Sequence, residues 1–580
     1  MPSPLRPRWL LPLGLLLLAG FLFFTRLGAV GLFDADEPAY AVAAREMRES
    51  GDWVTPTFNG QPRFDKPILF YYLLVVAYAA FGVNEFAVRA WPALAGVILT
   101  LVIYGLGRRH APAACGTAAL VFLLSPLTWV MGRAAVTDMV LTLCLTGCMA
   151  FLFALLAPEG EGAGRRHWLG AAACSALAVL VKGPLGLVLP GLVLVVHGLL
   201  TRRLGRALRR PGLLPAAALF CLLVLPWYLL VLRANGWAFV EGFLVKHHLQ
   251  RYTGEVSGHG APFWFFVPVL LVAFFPWSAF LPAALGRAFR RRGGAEAPGN
   301  GDAANEGRED GRTRHPHSVS RTPQWGAPDG ATEWERFCAV WFVVTFLFFS
   351  GARTKLPSYL FPAFPALAFV VAGWFRDGGV SLRAWRWGTG LLGALGLALA
   401  AGAAAIPWIL RAAAPRVPAI AEAPYTGWAH VALAGLFAAG TAAAAGTAWA
   451  GRRRAATAAL AAMMGLAAAT MIPGVLPWAH AYHEHGAAQS LVRGLRDRLG
   501  PDDAVILYGF NAPSVVFYAG RRVEKVERGR LEDLRRALAS ARPAYALARA
   551  RDAGDFAGLP GVFLLAQRGG YGVYWNGLGP

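Results

Sequence analysis

Long apolar runs separated by short, arginine-rich polar blocks set the pattern of this chain. Runs at 9–25, 86–107, 113–131, 139–157, 168–181, 184–200, 212–232, 264–285, 336–351, 359–375, 387–409, 428–450 and 455–478 predict about thirteen transmembrane helices. A helix rises 1.5 Å per residue and the hydrocarbon layer is about 30 Å thick, so most of these runs suffice to cross it. Lys and Arg are retained in short cytoplasmic loops, which gives the runs a direction. Arg6 and Arg8, Arg108–Arg109, Arg165–Arg166, the five arginines of 202–210, Arg287 with Arg290 to Arg292, the arginines of 376–386 and Arg452 to Arg454 all fall on one side. They do so if 68–81 is a helix lying along the outer interface rather than crossing.

Two segments break the pattern. Residues 293–332 are rich in Gly, Ser, Pro, Asn and charge and cannot bury a core, which predicts a disordered cytoplasmic linker. Residues 487–580 alternate helix-period runs (SLVRGLRDRL, RLEDLRRALASA) with strand-like ones (AVILYGF, YALA, VFLLAQ, YGVYW). That alternation predicts a small α/β domain on the outer face. The expected organisation is an α-helical polytopic membrane unit over 1–480, with outer loops at 26–85 and 233–263, followed by the tail domain.

Composition agrees. Of 580 residues, 56% are hydrophobic and 15% charged, where soluble domains carry about 25% charge. A net charge of +22 would suggest nucleic acid in a soluble protein. Here arginine-rich loops beside anionic lipid account for it, and no nucleic-acid partner is expected. The six cysteines lie in apolar runs without a CxxC pair, so neither a disulfide framework nor a zinc site is indicated. The first apolar run lacks a small-residue cleavage site and reads as an uncleaved span.

The chemistry collects at one face. The stretch LFDADEPAYAVAAREMRESGDWVTPTFNGQPRFDKP, 32–67, follows the first span. It brings Asp36, Glu37, Asp65 and Lys66 to the outer boundary, where the topology also puts Asp138, Lys182, His247, His248, Arg251, His259, Lys355 and Tyr359. Ionisable groups gathered at one membrane depth from distant parts of a chain point to a functional site. Cations beside an apolar wall suit an anionic lipid head group, with phosphate foremost. A carboxylate among them can act as general base or hold a sugar hydroxyl. A metal held by His247 or His248 with Asp65 is the lesser alternative, because no spaced multi-histidine motif is present. The residues indicate no cofactor, although a divalent metal stays open.

These residues carry a resemblance. The first loop, continued to ILFYY, resembles that of the polyprenyl-phosphate-dependent glycosyltransferases of the bacterial inner membrane. That group includes the lipid A aminoarabinose transferases and, more distantly, the protein O-mannosyltransferases of glycosyltransferase family 39. The likeness continues through VTD (136–138), VKGPLG (181–186), HHLQRY (247–252), HGAPFWFFVPV (259–269) and FFSGARTKLPSYLF (348–361). It implies a multi-pass inner-membrane enzyme of class C glycosyltransferase (GT-C) architecture, with its active site and small C-terminal domain on the periplasmic side. It further implies inverting transfer of a sugar from an undecaprenyl-phosphate-linked donor to lipid A or another envelope glycolipid. Transfer to protein is the alternative; a lipid-linked sugar flippase or a non-catalytic envelope scaffold are rivals of other classes. By the same resemblance Asp36 is the catalytic aspartate with Glu37 beside it. Lys66, Arg251, Tyr359 and Lys355 bind the donor phosphate, and Asp138, Lys182, Asp65 and His248 line the cavity. The chain departs from the aminoarabinose transferases in having Ala39 where they usually carry arginine, and DKP (65–67) in place of EKP.

Overall fold

The structure is a computed structural model that describes residues 9–157, 164–250, 254, 260–290, 332–376 and 382–578. Each of the thirteen apolar runs is helical. Among the described residues eight helices are long and apolar enough to cross a membrane, and up to ten spans result when each of two bent pairs counts as one. The difference from thirteen lies in three short or charged helices. The first, α1 (Leu10–Phe24), and Leu185–Leu200 have 15 and 16 residues, and Arg165–Lys182 carries arginines at its start and a lysine at its end. A helix of 15 residues is only about 23 Å long. The protein is multi-pass, and the expected linker 293–332 lies outside the described residues except for Thr332, which caps helix Glu333–Gly351.

Proline sets the bends. Pro112–Leu123 and Pro126–Arg133 meet at 64°, where extended Ser125 precedes Pro126 at the start of the second helix. A residue before proline avoids the helical region, and proline lacks the N–H that a continuous helix would need. At the far end of that second helix, Arg133 donates to the carbonyls of Leu22, Phe23 and Thr25. A cation over the open carbonyls of a helix C-terminus is favourable, and it ties this turn to α1.

The first outer loop is mostly structured. Helix α2 (Asp36–Ser50) begins with two carboxylates in its first turn and ends at Gly51 in the left-handed conformation, both standard terminal signals. A tight hairpin, β1 (Thr57–Phe58) with β2 (Gln61–Pro62), turns at Asn59–Gly60 with φ of 55° and 75°, the asparagine–glycine turn that suits hairpin twist. The run at 68–81 is indeed a helix, α3 (Leu69–Phe81), packed on α2 and on α4 (Glu85–His110). Its 13 residues span about 20 Å, short of the bilayer core.

The tail carries a five-stranded sheet of β3 (Ala504–Tyr508), β4 (Glu524–Val526), β5 (Ala544–Arg549), β6 (Phe563–Arg568) and β7 (Tyr571–Trp575), in the order β4-β3-β5-β7-β6. The first three strands run parallel and β7 antiparallel to its neighbours. Alternate residues face opposite sides of a strand, and the two sides have different partners. Ile506, Tyr508, Ala546 and Tyr574 build the tail's own core with Leu534 and Phe556. Val505, Leu507, Leu547 and Val573 join the apolar core that is continuous with the helical bundle. The tail is docked on the membrane unit, against the first loop.

Candidate active site

The start of α2 is held from two sides. From below, the guanidinium of Arg89 on α4 meets Glu37 as a fork, Nε to Oε1 at 2.8 Å and Nη2 to Oε2 at 2.6 Å. Its other donors reach the carbonyls of Leu27, Val30 and Gly31. Glu37 also accepts from the amides of Phe33 and Ala135, at 2.8 and 2.7 Å. Arginine suits this place because its planar donors match a carboxylate and several carbonyls at once. Both residues are buried. Both Glu37 oxygens are thus already engaged, unlike those of the neighbouring Asp36.

From above, the tail grips the chain just before α2. Leu32 donates its amide to Tyr518 Oη (2.9 Å) and accepts from Gln489 Nε2 (2.8 Å). The Phe33 ring stands edge-on to His480 and His483. Asp34 accepts from the amide of Ser514 at 2.8 Å and from its hydroxyl. Burial pushes the Asp34 carboxyl up from its ordinary value, with the Ser514 hydrogen bonds opposing. Contact is close enough that a Cβ at Gly31 would fall 2.5 Å from His480 Nε2.

Asp36 lies between these two holds. It is exposed, and its carboxylate has no hydrogen bond or ion pair among the described residues. It borders an apolar cavity of about 490 Å³ lined by Leu22, Phe33, Trp129, Val136, Met471 and Val475, among others. Burial and then the Asp36 charge raise the Tyr40 phenol well above its usual range, as fits two residues one turn apart on α2.

A second cluster forms around Asp65. Arg63 Nη2 lies 2.8 Å from Asp65 Oδ2 and His247 Nε2 lies 2.8 Å from Oδ1, while Lys66 Nζ donates to the Asp65 carbonyl at 3.1 Å. Burial would raise the Asp65 carboxyl, but the His247 hydrogen bond and the Arg63 charge outweigh it and hold it well below the carboxylate range. Burial would likewise lower Arg63, and the neighbouring Tyr71, Asp65 and Tyr40 reverse the shift upward. The Tyr71 hydroxyl lies beside Arg63, and His247 Nδ1 is buried without a hydrogen-bond partner among the described residues. Buried polar atoms are nearly always paired, so this cluster has room for a polar ligand. No group of three His, Cys, Asp or Glu that could hold a metal is found among the described residues.

A third group joins Asp138, Lys182 and Tyr359. Lys182 Nζ is 2.8 Å from Asp138 Oδ1 and 5.6 Å from the centre of the Tyr359 ring. The turn before Asp138 carries the Ala135 amide that holds Glu37, which connects this group to the start of α2. Lys355 stands apart, buried and donating to the carbonyls of Ala261 and Ala352. There Thr354 and Gly260 form a β-bridge, stitching the two loops together. Arg251, His259 and the His248 side chain lie outside the described residues. Sequence reasoning missed Arg63, Tyr71, Arg89 and the tail residues. Arg89, a charge within an apolar run, was a readable signal; nothing marked Ser514.

Comparison with known proteins bears on this arrangement. Residues 15–237 match the family model described as dolichyl-phosphate-mannose-protein mannosyltransferase. The undecaprenyl phosphate-alpha-4-amino-4-deoxy-L-arabinose arabinosyl transferase of Edwardsiella ictaluri is 31% identical over 61% of this chain and 58% of its own length. That of Pseudomonas aeruginosa (strain UCBPP-PA14) is 31% identical over 67% of this chain and 64% of its own. The chain thus spans about three fifths of the curated relatives it matches. The crystal structure of ArnT from Cupriavidus metallidurans bound to undecaprenyl phosphate superposes with a TM-score of 0.74 at 22% identity, covering 98% of both chains. The chain has the GT-C fold of that transferase and resembles the aminoarabinose transferases in sequence across roughly two thirds of its length.

Proposed function

We propose that this protein is an integral-membrane glycosyltransferase that moves an aminoarabinose-type sugar from an undecaprenyl-phosphate carrier to lipid A or another envelope glycolipid. The observation that carries this reading is Asp36, an open carboxylate that borders an apolar cavity and lies between the Glu37–Arg89 and Asp34–Ser514 contacts. In the reaction the acceptor oxygen attacks the anomeric carbon as the bond to the carrier phosphate breaks, with inversion. Negative charge grows on the departing phosphate, and Lys66, with Arg63 near it in the Asp65 cluster and Arg251 by the resemblance, stabilises it as preorganised cations do. Tyr359 and the Lys182–Asp138 pair line the donor's path. A hydroxyl acceptor gives its proton to Asp36; an acceptor phosphate, already ionised, is oriented by it. Glu37 is a positioning residue for α2. The site and tail face the periplasm, as the arginine distribution indicates.

The test is product mass spectrometry with purified protein, undecaprenyl-phosphate-linked aminoarabinose and lipid A. Asp36→Asn should abolish transfer with an unchanged melting curve, and a well-folded variant working near the normal rate overturns the role of Asp36. Alkaline phosphatase fused after residue 480 should be active; an inactive, well-expressed fusion overturns the orientation.

A further inference from the structure

The tail domain has no catalytic motif of its own, yet it supplies most of the polar anchors of the chain leading into Asp36. Leu32, Phe33 and Asp34 lie outside helix and strand, and apart from a turn at Asp34–Ala35 no backbone pairing holds them among the described residues. Their polar groups are met by side chains instead. Tyr518 and Gln489 take the two sides of the Leu32 peptide, His483 Nε2 lies 3.2 Å from the Asp34 carbonyl, and Ser514 takes both oxygens of the Asp34 carboxylate. The same tail segment holds α2 further along, where Arg45 donates to the carbonyls of Val516 and Phe517. Beyond α2, Asn59 exchanges two hydrogen bonds with Val523.

We infer that Ser514 is a positioning residue for the transfer reaction, latching Asp34 to the tail so that Asp36, two residues on, is fixed at the mouth of the cavity. A segment outside helix and strand has little internal means of keeping its course. Glu37 is pinned by Arg89, but one anchor fixes a point and not a direction; the second anchor lies at Asp34. Ser514 is fully buried, and a hydroxyl and an amide on one carboxylate make a charge-assisted pair stronger than neutral hydrogen bonds. Displacing a reacting group by about 1 Å can lower a rate roughly a hundredfold. The tail thereby belongs to the active site without touching substrate.

This inference rests on the proposed transferase activity, and its test separates the two. Ser514→Ala keeps the amide bond to Asp34 and loses the hydroxyl. It should lower kcat by roughly ten- to a hundredfold, leave both KM values within about twofold, and raise amide hydrogen exchange across Leu32–Glu37. Ser514→Thr, which keeps the hydroxyl, should restore most of the rate. Unchanged exchange, or raised exchange with unchanged kcat, overturns the latch; so does a change confined to KM, which would make Ser514 a substrate contact. If the wild-type protein fails to transfer from the chosen donor, the proposed function fails. The exchange measurement then still decides whether Ser514 orders this segment.

Discussion

Arg89→Ala isolates what the bundle contributes to the site. The side chain makes five contacts, two to Glu37 and three to the carbonyls of Leu27, Val30 and Gly31. Removing it leaves Glu37 buried with only the amides of Phe33 and Ala135 against its charge. Summing the lost charge-assisted bonds, at roughly 1.5–3 kcal/mol each, would overshoot. Leu27 and Val30 border the cavity, so entering water satisfies their carbonyls. What remains is an uncompensated buried charge, for which about 3–5 kcal/mol is the appropriate scale. Asp36 lies beside the damage, so activity should fall along with stability.

The second variant tests the cause. Glu37→Gln in the Arg89→Ala background removes the stranded charge while its side-chain oxygen still accepts from one of the two amides. It should recover about half of the loss, because the orphaned-charge part of the cost is gone. Arg89→Lys keeps a charge but not the planar fork, and should fall between wild type and Arg89→Ala. The assay is reversible unfolding in mixed micelles followed by helical circular dichroism. A double variant no more stable than Arg89→Ala would refute the reasoning, since the penalty would then come from lost packing or lost carbonyl bonds.

Lys66→Ala should lower kcat by roughly a hundredfold, the scale of losing one charge-stabilising donor, with acceptor KM little changed; loss of acceptor affinity at constant kcat would move Lys66 to the acceptor side. Asp65 gives a pH signature. Its carboxyl is held below its ordinary value, so the stability it contributes is fully present above the unfolded carboxylate range, near pH 4, and declines as pH falls below it. The melting deficit of Asp65→Asn should therefore shrink between pH 5 and pH 3; a deficit that stays constant would show that Asp65 acts by packing alone.

The spans were legible because nothing but lipid or a large core explains so many long apolar runs. Their lengths were less so: Pro126 breaks one run into two helices at 64°, a tertiary outcome of a single residue. Helix α2 was hidden inside a stretch that reads as polar loop, since Glu37 to Arg45 are buried on all sides by the tail and α3, which leaves no amphipathic period to read. Asp36, Lys66, Asp138, Lys182 and Tyr359 stood out in the sequence because charges and a polar ring at span ends need a reason. Their partners were not legible. Arg89 finds Glu37 across 52 residues, and Ser514 finds Asp34 across 480, pairings that no local pattern encodes.

The contrast between Asp36 and Glu37 shows how the fold turns adjacency into different roles. Neighbouring residues on an α-helix point about 100° apart, so two consecutive carboxylates cannot both face the same partner. Arg89 takes the second, and in doing so sets the rotation of α2 about its axis. With Glu37 turned into the bundle, Asp36 must point along the open edge of the helix, where the cavity begins. A rotation of about 100° would aim Asp36 at Arg89 and expose Glu37, exchanging the buried and free carboxylates. The two carbonyl-bound arms of the guanidinium and the Ala135 amide oppose that rotation, because they fit a carboxylate only at the position Glu37 occupies. The buried pair is thus less a source of stability than a device that selects which of two acids stays open to the cavity, the one to which we assign the reaction.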